Sequence, residues 1–168
     1  MMTAALLVAA VQAAALPPAP ELERAIATAD ARLFHAGFEG CAPDMLAEVL
    51  APGFAMYHDR NGKVAGSRDA FVAIIAEQCE ARAPGGVNEG YRNRRELVPG
   101  SRVVRRLGDW GALEEASHIF YEWRAGGEGE PAHWELVGGA RYMHLWQWTP
   151  AGPRLLTSYS YDHGAAWE

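Results

Sequence analysis

Helices first and strands after: the sequence predicts an α+β domain in which a curved antiparallel sheet wraps around three N-terminal helices. Three observations carry that expectation. Apolar residues recur at helical spacing only between residues 21 and 82. From residue 91 onward the chain alternates as strands do. Residues 140–163, ARYMHLWQWTPAGPRLLTSYSYDH, then close the domain as a hairpin with Tyr142, His144, Trp146 and Trp148 on one face. Such a face does not belong in water; it is the wall of a core or of a pocket.

Taken in order, residues 21–38 place Leu22, Ile26, Ala29, Leu33 and Phe34 on one helical stripe, and Gly37 and Gly40 stop it. Pro43 opens a shorter helix carrying Met45, Leu46, Val49 and Leu50, which Pro52-Gly53 ends. Residues 54–66 read as a small hairpin turning at Asn61-Gly62. Ser67 is the N-cap of a third helix, with Asp69 in its first turn and Phe71, Ile74, Ile75, Gln78 and Cys79 facing inward. Strands follow over residues 91–98, 102–107 and 112–124, and after a polar loop the last two run from about residue 139. That makes four to six strands. Long strands punctuated by glycine can curl, leaving a cavity between the concave face and the first helix.

The chain has 168 residues, enough for one domain with one core, and no internal repeat or linker divides it. With 49% hydrophobic and 21% charged residues, the balance is that of a folded protein. The net charge of −6 argues against nucleic acid, and Arg92, Arg94, Arg95, Arg102, Arg105 and Arg106 sit on strands amid acidic residues. The N-terminus, MMTAALLVAAVQAAALPPAP, is uncharged over residues 3–15 and has small residues at Ala13, Ala14 and Ala15. It is too short to span a bilayer but suits a secretory leader, although its positive region is only the α-amino group. Residues 1–19 are therefore read as a signal peptide with a short linker and residues 20–168 as the domain. A periplasmic or secreted address follows, with no membrane association after processing. Cys41 and Cys79 are two buried thiols in a reducing compartment and a disulfide in an exported protein. A bridge would close a loop worth about 4 kcal/mol in the chain-entropy model. Neither a CxxC motif nor a Cys/His zinc spacing is present.

Candidate chemistry gathers on histidines. If the turn between residues 124 and 139 closes a symmetric hairpin, His118 falls opposite His144. The same arithmetic around residues 150–153 puts His144 near Tyr159 and Tyr142 near Tyr161. A slip of one residue would reverse every one of these side chains. Facing imidazoles could move a proton, bind a small acid, or with His58 or His163 hold a divalent metal. They could equally be core histidines satisfied by a hydroxyl or a carbonyl. His58-Asp59, beside Tyr57, offers a base next to a carboxylate; the structural alternative makes Asp59 a turn residue. Arg95 and Glu96 occupy opposite faces, so one points inward; an inward Arg95 suits an anionic ligand. Tyr142, Trp146, Trp148 and Phe120 could line a flat apolar ligand or simply pack. Asp162-His163 reads as a strand-end pair or a dimer contact. The serines lack a nucleophile elbow, so serine-hydrolase chemistry is not expected.

FAMYHDRNGKVAGSRDAFVAII, RRELVPGS, HLWQW and SYSYDH, in this order of elements, resemble the nuclear transport factor 2-like superfamily, and within it bacterial members known only as a domain of unknown function. The resemblance spans residues 21–163. It implies a cone-shaped α+β fold, a homodimer through the outer face of the sheet, and a mostly apolar internal pocket. Cys41 and Cys79 match positions where such relatives pair cysteines, which favours the disulfide. The superfamily holds isomerases, dehydratases, epoxide hydrolases, cyclases and non-catalytic binding domains, so fold does not settle function. The residues match neither the Asp-plus-Tyr isomerase site nor the Asp-Arg-Asp epoxide hydrolase site.

The expectation is thus an exported, dimeric protein that binds a small apolar or weakly acidic molecule without cofactor or metal. The alternatives are a cofactor-free isomerase, dehydratase or cyclase, and an interaction module with a vestigial pocket. The site residues expected are His118, His144, His58 and Asp59 for proton transfer. Tyr57, Arg95, Phe120, Tyr142, Trp146, Tyr159 and Tyr161 are expected for ligand contact.

Overall fold

Pro18 and Ala19 start the first helix where the proline-rich segment ends, and the computed structural model describes residues 15–127 and 129–164 from there. Of the expected leader and linker over residues 1–19, residues 1–14 lie outside the described residues. Helix α1 (Ala19–Phe34) buries Leu22, Ile26, Ala29 and Leu33, the stripe that its spacing predicts. It continues into one π-helical turn, His35–Glu39, before α2 (Pro43–Val49). Such single turns often mark functional sites, and this one carries Gly37 and Phe38 into the wall of a cavity. Ser67 caps α3 (Arg68–Arg82) by accepting the Ala70 amide at 3.2 Å. Cys41 and Cys79 form a disulfide that ties the segment before α2 to α3.

The strands are β1 (Leu50–His58), β2 (Gly62–Ala65), β3 (Asn93–Leu97), β4 (Val103–Leu107), β5 (Gly111–Arg124), β6 (His133–Thr149) and β7 (Gly152–Gly164). They make one curved, open sheet in the order β2-β1-β7-β6-β5-β3, with β4 sharing the β5 edge with β3. The expected all-antiparallel sheet is corrected: β1 runs parallel to β7. That pairing begins at Leu50, because α2 ends at Val49 rather than running to Pro52. Pro52 and Gly53 are then absorbed in an irregularity between the paired positions Leu50 and Ala55, where a proline costs no ladder bond.

Two registers also differ from the arithmetic. The β5–β6 hairpin is tighter than a symmetric one, so His118 pairs with Ala140 and Glu114 pairs with His144. At the last hairpin Pro150 and Ala151 alone form the loop, Gly152 takes a positive φ, and Leu156 is an extra residue between Leu155 and Thr157. His144 therefore pairs with Ser158 and Tyr142 with Ser160. That one-residue slip turns Ser158 and Ser160 inward and Tyr159 and Tyr161 outward. The Tyr142, His144, Trp146 row faces inward as its alternation predicts, each residue being buried.

Candidate functional site

Two charged residues on apolar faces form the deepest part of the site. Asp30 sits on the α1 stripe between Ala29 and Leu33, and Glu114 lies between Ala112 and Ala116 on β5; both are 0% exposed. Buried carboxylates require partners. Arg95 of β3 donates to both Asp30 oxygens (Nη1 to Oδ2 2.9 Å, Nη2 to Oδ1 3.4 Å) and from Nη2 to the Tyr142 hydroxyl (2.9 Å). Arg102 bridges the acids, donating to Asp30 Oδ2 at 2.5 Å and to Glu114 Oε1 at 2.8 Å. Glu114 also accepts the Tyr142 hydroxyl (3.2 Å) and the Trp146 indole (2.8 Å). Two carboxylates thus balance two guanidiniums.

The pKa directions follow from those partners. Burial raises the Glu114 carboxyl, but His144, Arg102 and the Trp146 indole outweigh it and hold it below its ordinary value. Burial, with the Asp30 and Glu114 charges, raises the Tyr142 phenol, which stays protonated.

His118 and His144 stand between this network and an apolar cavity. The His118 Nδ1 accepts from Arg95 Nε at 3.3 Å, which leaves the proton on Nε2. Nε2 is buried and has no hydrogen-bond partner among the described residues. Burial, reinforced by the Arg95 charge, pushes the His118 pKa down to about 2, so the ring is neutral. The Nδ1 atom of His144 lies 3.5 Å from Glu114 Oε2 and 3.7 Å from Asp30 Oδ1. These are ion-pair distances without a formed hydrogen bond.

The cavity has a volume of about 160 Å³. An engineered apolar cavity of about 150 Å³ holds benzene, so this one admits a single ring. Phe34, Phe38, Phe54, Met56 and Phe120 give it an apolar wall, while His118, Tyr142, His144, Ser158 and Ser160 give it a polar one.

At its half-buried end, His58 and His163 complete the lining. Their rings stack with centroids 3.9 Å apart, and Asp59 Oδ1 sits 2.7 Å from His163 Nδ1 and 3.3 Å from His58 Nδ1. His163 reaches this position because Asp162 adopts a left-handed backbone (φ 57°), which breaks the alternation of β7. Burial, then the His163 charge, lowers the His58 pKa.

Several expected ligand contacts are corrected. Tyr57, Tyr159 and Tyr161 lie outside the cavity, around a shallow depression on the outer face; Tyr57 and Tyr159 stack at 5.3 Å. The Leu156 bulge is the reason for the two β7 tyrosines. Arg95 does point inward, but its donors go to Asp30, Tyr142 and His118. Trp146 is fully buried and bonded to Glu114, packing in the core. Asp59 is no simple turn residue, since its carboxylate holds His163, which sits at the end of β7 as expected. His118, His144, His58, Phe120 and Tyr142 line the cavity. Sequence reasoning passed over Asp30, Glu114 and Arg102. An acid within each apolar stripe was the available signal.

No protein-family model and no curated protein matches the sequence. Solved structures do match. The beta subunit of a proposed aromatic-ring-hydroxylating dioxygenase from Novosphingobium aromaticivorans is 12% identical, with a TM-score of 0.67 over 90% of this chain and 94% of that one. A proposed dehydratase of the NTF2-like family from Streptomyces avermitilis is 13% identical, with a TM-score of 0.62 over 84% and 95%. A protein from Catenulispora acidiphila, in complex with S-DNPA, is 14% identical, with a TM-score of 0.62 over 84% and 94%. At these identities the likeness shows the fold: the chain adopts the nuclear transport factor 2-like cone.

Proposed function

We propose that this protein is an exported binding protein whose cavity takes one ring-sized, largely apolar molecule bearing a hydrogen-bond acceptor. One observation carries the reading. His118 Nε2–H is a buried donor without a partner among the described residues, on a ring that lines a largely apolar cavity; the other unpartnered lining atom, His144 Nδ1, faces Glu114 and Asp30. An unmatched buried donor costs about 1–3 kcal/mol, which a ligand acceptor would offset. Because the ring is neutral and the wall apolar, a carbonyl or phenol oxygen suits it better than an ionised carboxylate. Acetophenone and toluene test this, being alike in ring and differing in the acceptor. Isothermal titration should show acetophenone binding at least tenfold more tightly to the native protein. In His118→Phe the two should bind alike. Equal affinities in the native protein would defeat the proposal.

A second reading, a cofactor-free isomerase, dehydratase or cyclase, is favoured by the position of His144. Its ring lines the cavity while Nδ1 faces Glu114 and Asp30, a geometry in which an imidazole could take a proton from a carbonyl compound polarised by His118. Exchange of the acetophenone methyl protons into deuterated water, followed by NMR, decides between the two. Catalysed exchange lost in His144→Ala supports chemistry; exchange at the buffer rate supports binding alone.

Export is supported by the disulfide. A homodimer through the outer face would cover the stacked Tyr57 and Tyr159, which are 37% and 39% exposed. Light scattering on the purified protein would give twice the monomer mass.

A further inference from the structure

His58, Asp59 and His163 bring three metal-binding side chains together where the cavity meets its half-buried end, and the contact with His118 uses none of them. We propose that these three residues hold one divalent transition-metal ion of the zinc class. One ligand atom from each lies within 4.8 Å of the others. A tetrahedral ion with bonds of about 2.0–2.1 Å sets its ligand atoms roughly 3.3 Å apart. Asp59 Oδ1 is 3.3 Å from His58 Nδ1, which matches that spacing, and 2.7 Å from His163 Nδ1, which would have to open by a small side-chain rotation. Two imidazoles with one carboxylate select zinc, cobalt or nickel over magnesium or calcium.

The groups behind the ligands already have the form such a site needs. With Nδ1 on the ion, His163 carries its proton on Nε2, which lies 3.2 Å from Ser160 Oγ. Asp59 is oriented through its second oxygen, which accepts the His163 amide at 3.2 Å. His58 Nδ1, which accepts the Arg60 amide at 3.2 Å, would exchange that contact for the ion, while Ser160 and the His163 amide stay behind the other two ligands. Outer partners of this kind fix the ring orientation of metal-bound histidines. The Arg60 guanidinium is engaged by the His163 carbonyl oxygen at 2.5 Å, and it forms no ion pair with Asp59 among the described residues. The other clustered set, Asp30, Glu114 and His144, does not compete, because Arg95 and Arg102 already occupy its carboxylates. Three protein ligands leave a fourth position open, as in sites where a water or substrate completes the shell. His58 and His163 both line the cavity, so that position borders it.

The test uses the full processed chain, stripped with chelator and dialysed against Zn²⁺ or Co²⁺. Elemental analysis should return one equivalent of either ion, and the cobalt form should show visible d–d bands. His163→Gln and Asp59→Asn should each weaken binding at least tenfold. His133→Gln, an exposed histidine at the start of β6, should leave it unchanged. If His163→Gln fails to fold by circular dichroism, His58→Gln carries the same comparison. Less than half an equivalent on the native protein, or unchanged affinity in the His163 and Asp59 variants, overturns the proposal.

Discussion

Two groups of ionisable side chains border the same cavity and are built on opposite terms. The deep one, Asp30, Arg95, Arg102 and Glu114, pairs each charge with an opposite one, largely out of water. The rim group, His58, Asp59 and His163, is half-buried, holds one carboxylate between two stacked imidazoles, and leaves its charge count open. The difference separates scaffold from site. A network whose donors are matched internally fixes where helix α1 meets the sheet and has little left for a ligand. Among the described residues that line the cavity, matching stops at His118 Nε2 and His144 Nδ1.

Removing one member from each group is the strongest way to break that contrast. Asp30→Asn leaves Arg95 and Arg102 without their shared carboxylate and should cost about 3–5 kcal/mol, read as a lowered urea midpoint. A loss under about 1 kcal/mol would mean that the deep network is not what holds α1 to the sheet.

The pH dependence of stability sharpens the comparison. His118 has a folded pKa of about 2 against an ordinary value of 6.5, so between those values the unfolded chain binds the extra proton. Stability is then fully present above pH 6.5 and falls on acidification, by at most about 1.4 kcal/mol per pH unit from this group. Glu114, depressed in the folded state, acts in the same direction below its unfolded value of 4.5. Urea midpoints taken from pH 7 to pH 4 should decline, and the decline between pH 6.5 and 5 should be shallower in His118→Phe. An unchanged slope in that variant would remove His118 as its source.

The smallest effect belongs to the rim. Asp59→Asn should barely move the urea midpoint in the same assay, as is usual for partly exposed ion pairs. A cost approaching that of Asp30→Asn would erase the distinction between the groups.

How much of this was legible in the sequence depends on what alternation encodes. The inward row of Tyr142, His144 and Trp146 and the α1 stripe follow from period alone; Tyr142 and His144 line the cavity while Trp146 packs in the core. The outward turn of Tyr159 and Tyr161 was not, because a bulge at Leu156 leaves no mark in residue type: a leucine fits either a strand or the extra position within one. The inward turn of His163 depends on the left-handed Asp162, and an aspartate before a histidine reads equally as an ordinary strand end. Asp30 and Glu114 were visible as acids on apolar faces. Their partners Arg95, on β3, and Arg102, just before β4, are brought to them only by the tertiary pairing.

The account turns on His118 being a neutral imidazole with its proton on Nε2, held ready for a ligand acceptor. Histidine side-chain ¹⁵N spectra of the labelled protein at pH 6, with and without acetophenone, test it directly. The account predicts a neutral Nε2–H form for His118 before addition and a shift of that signal on saturation, with toluene leaving it in place. A charged ring, a proton on Nδ1, or a signal indifferent to acetophenone would contradict it.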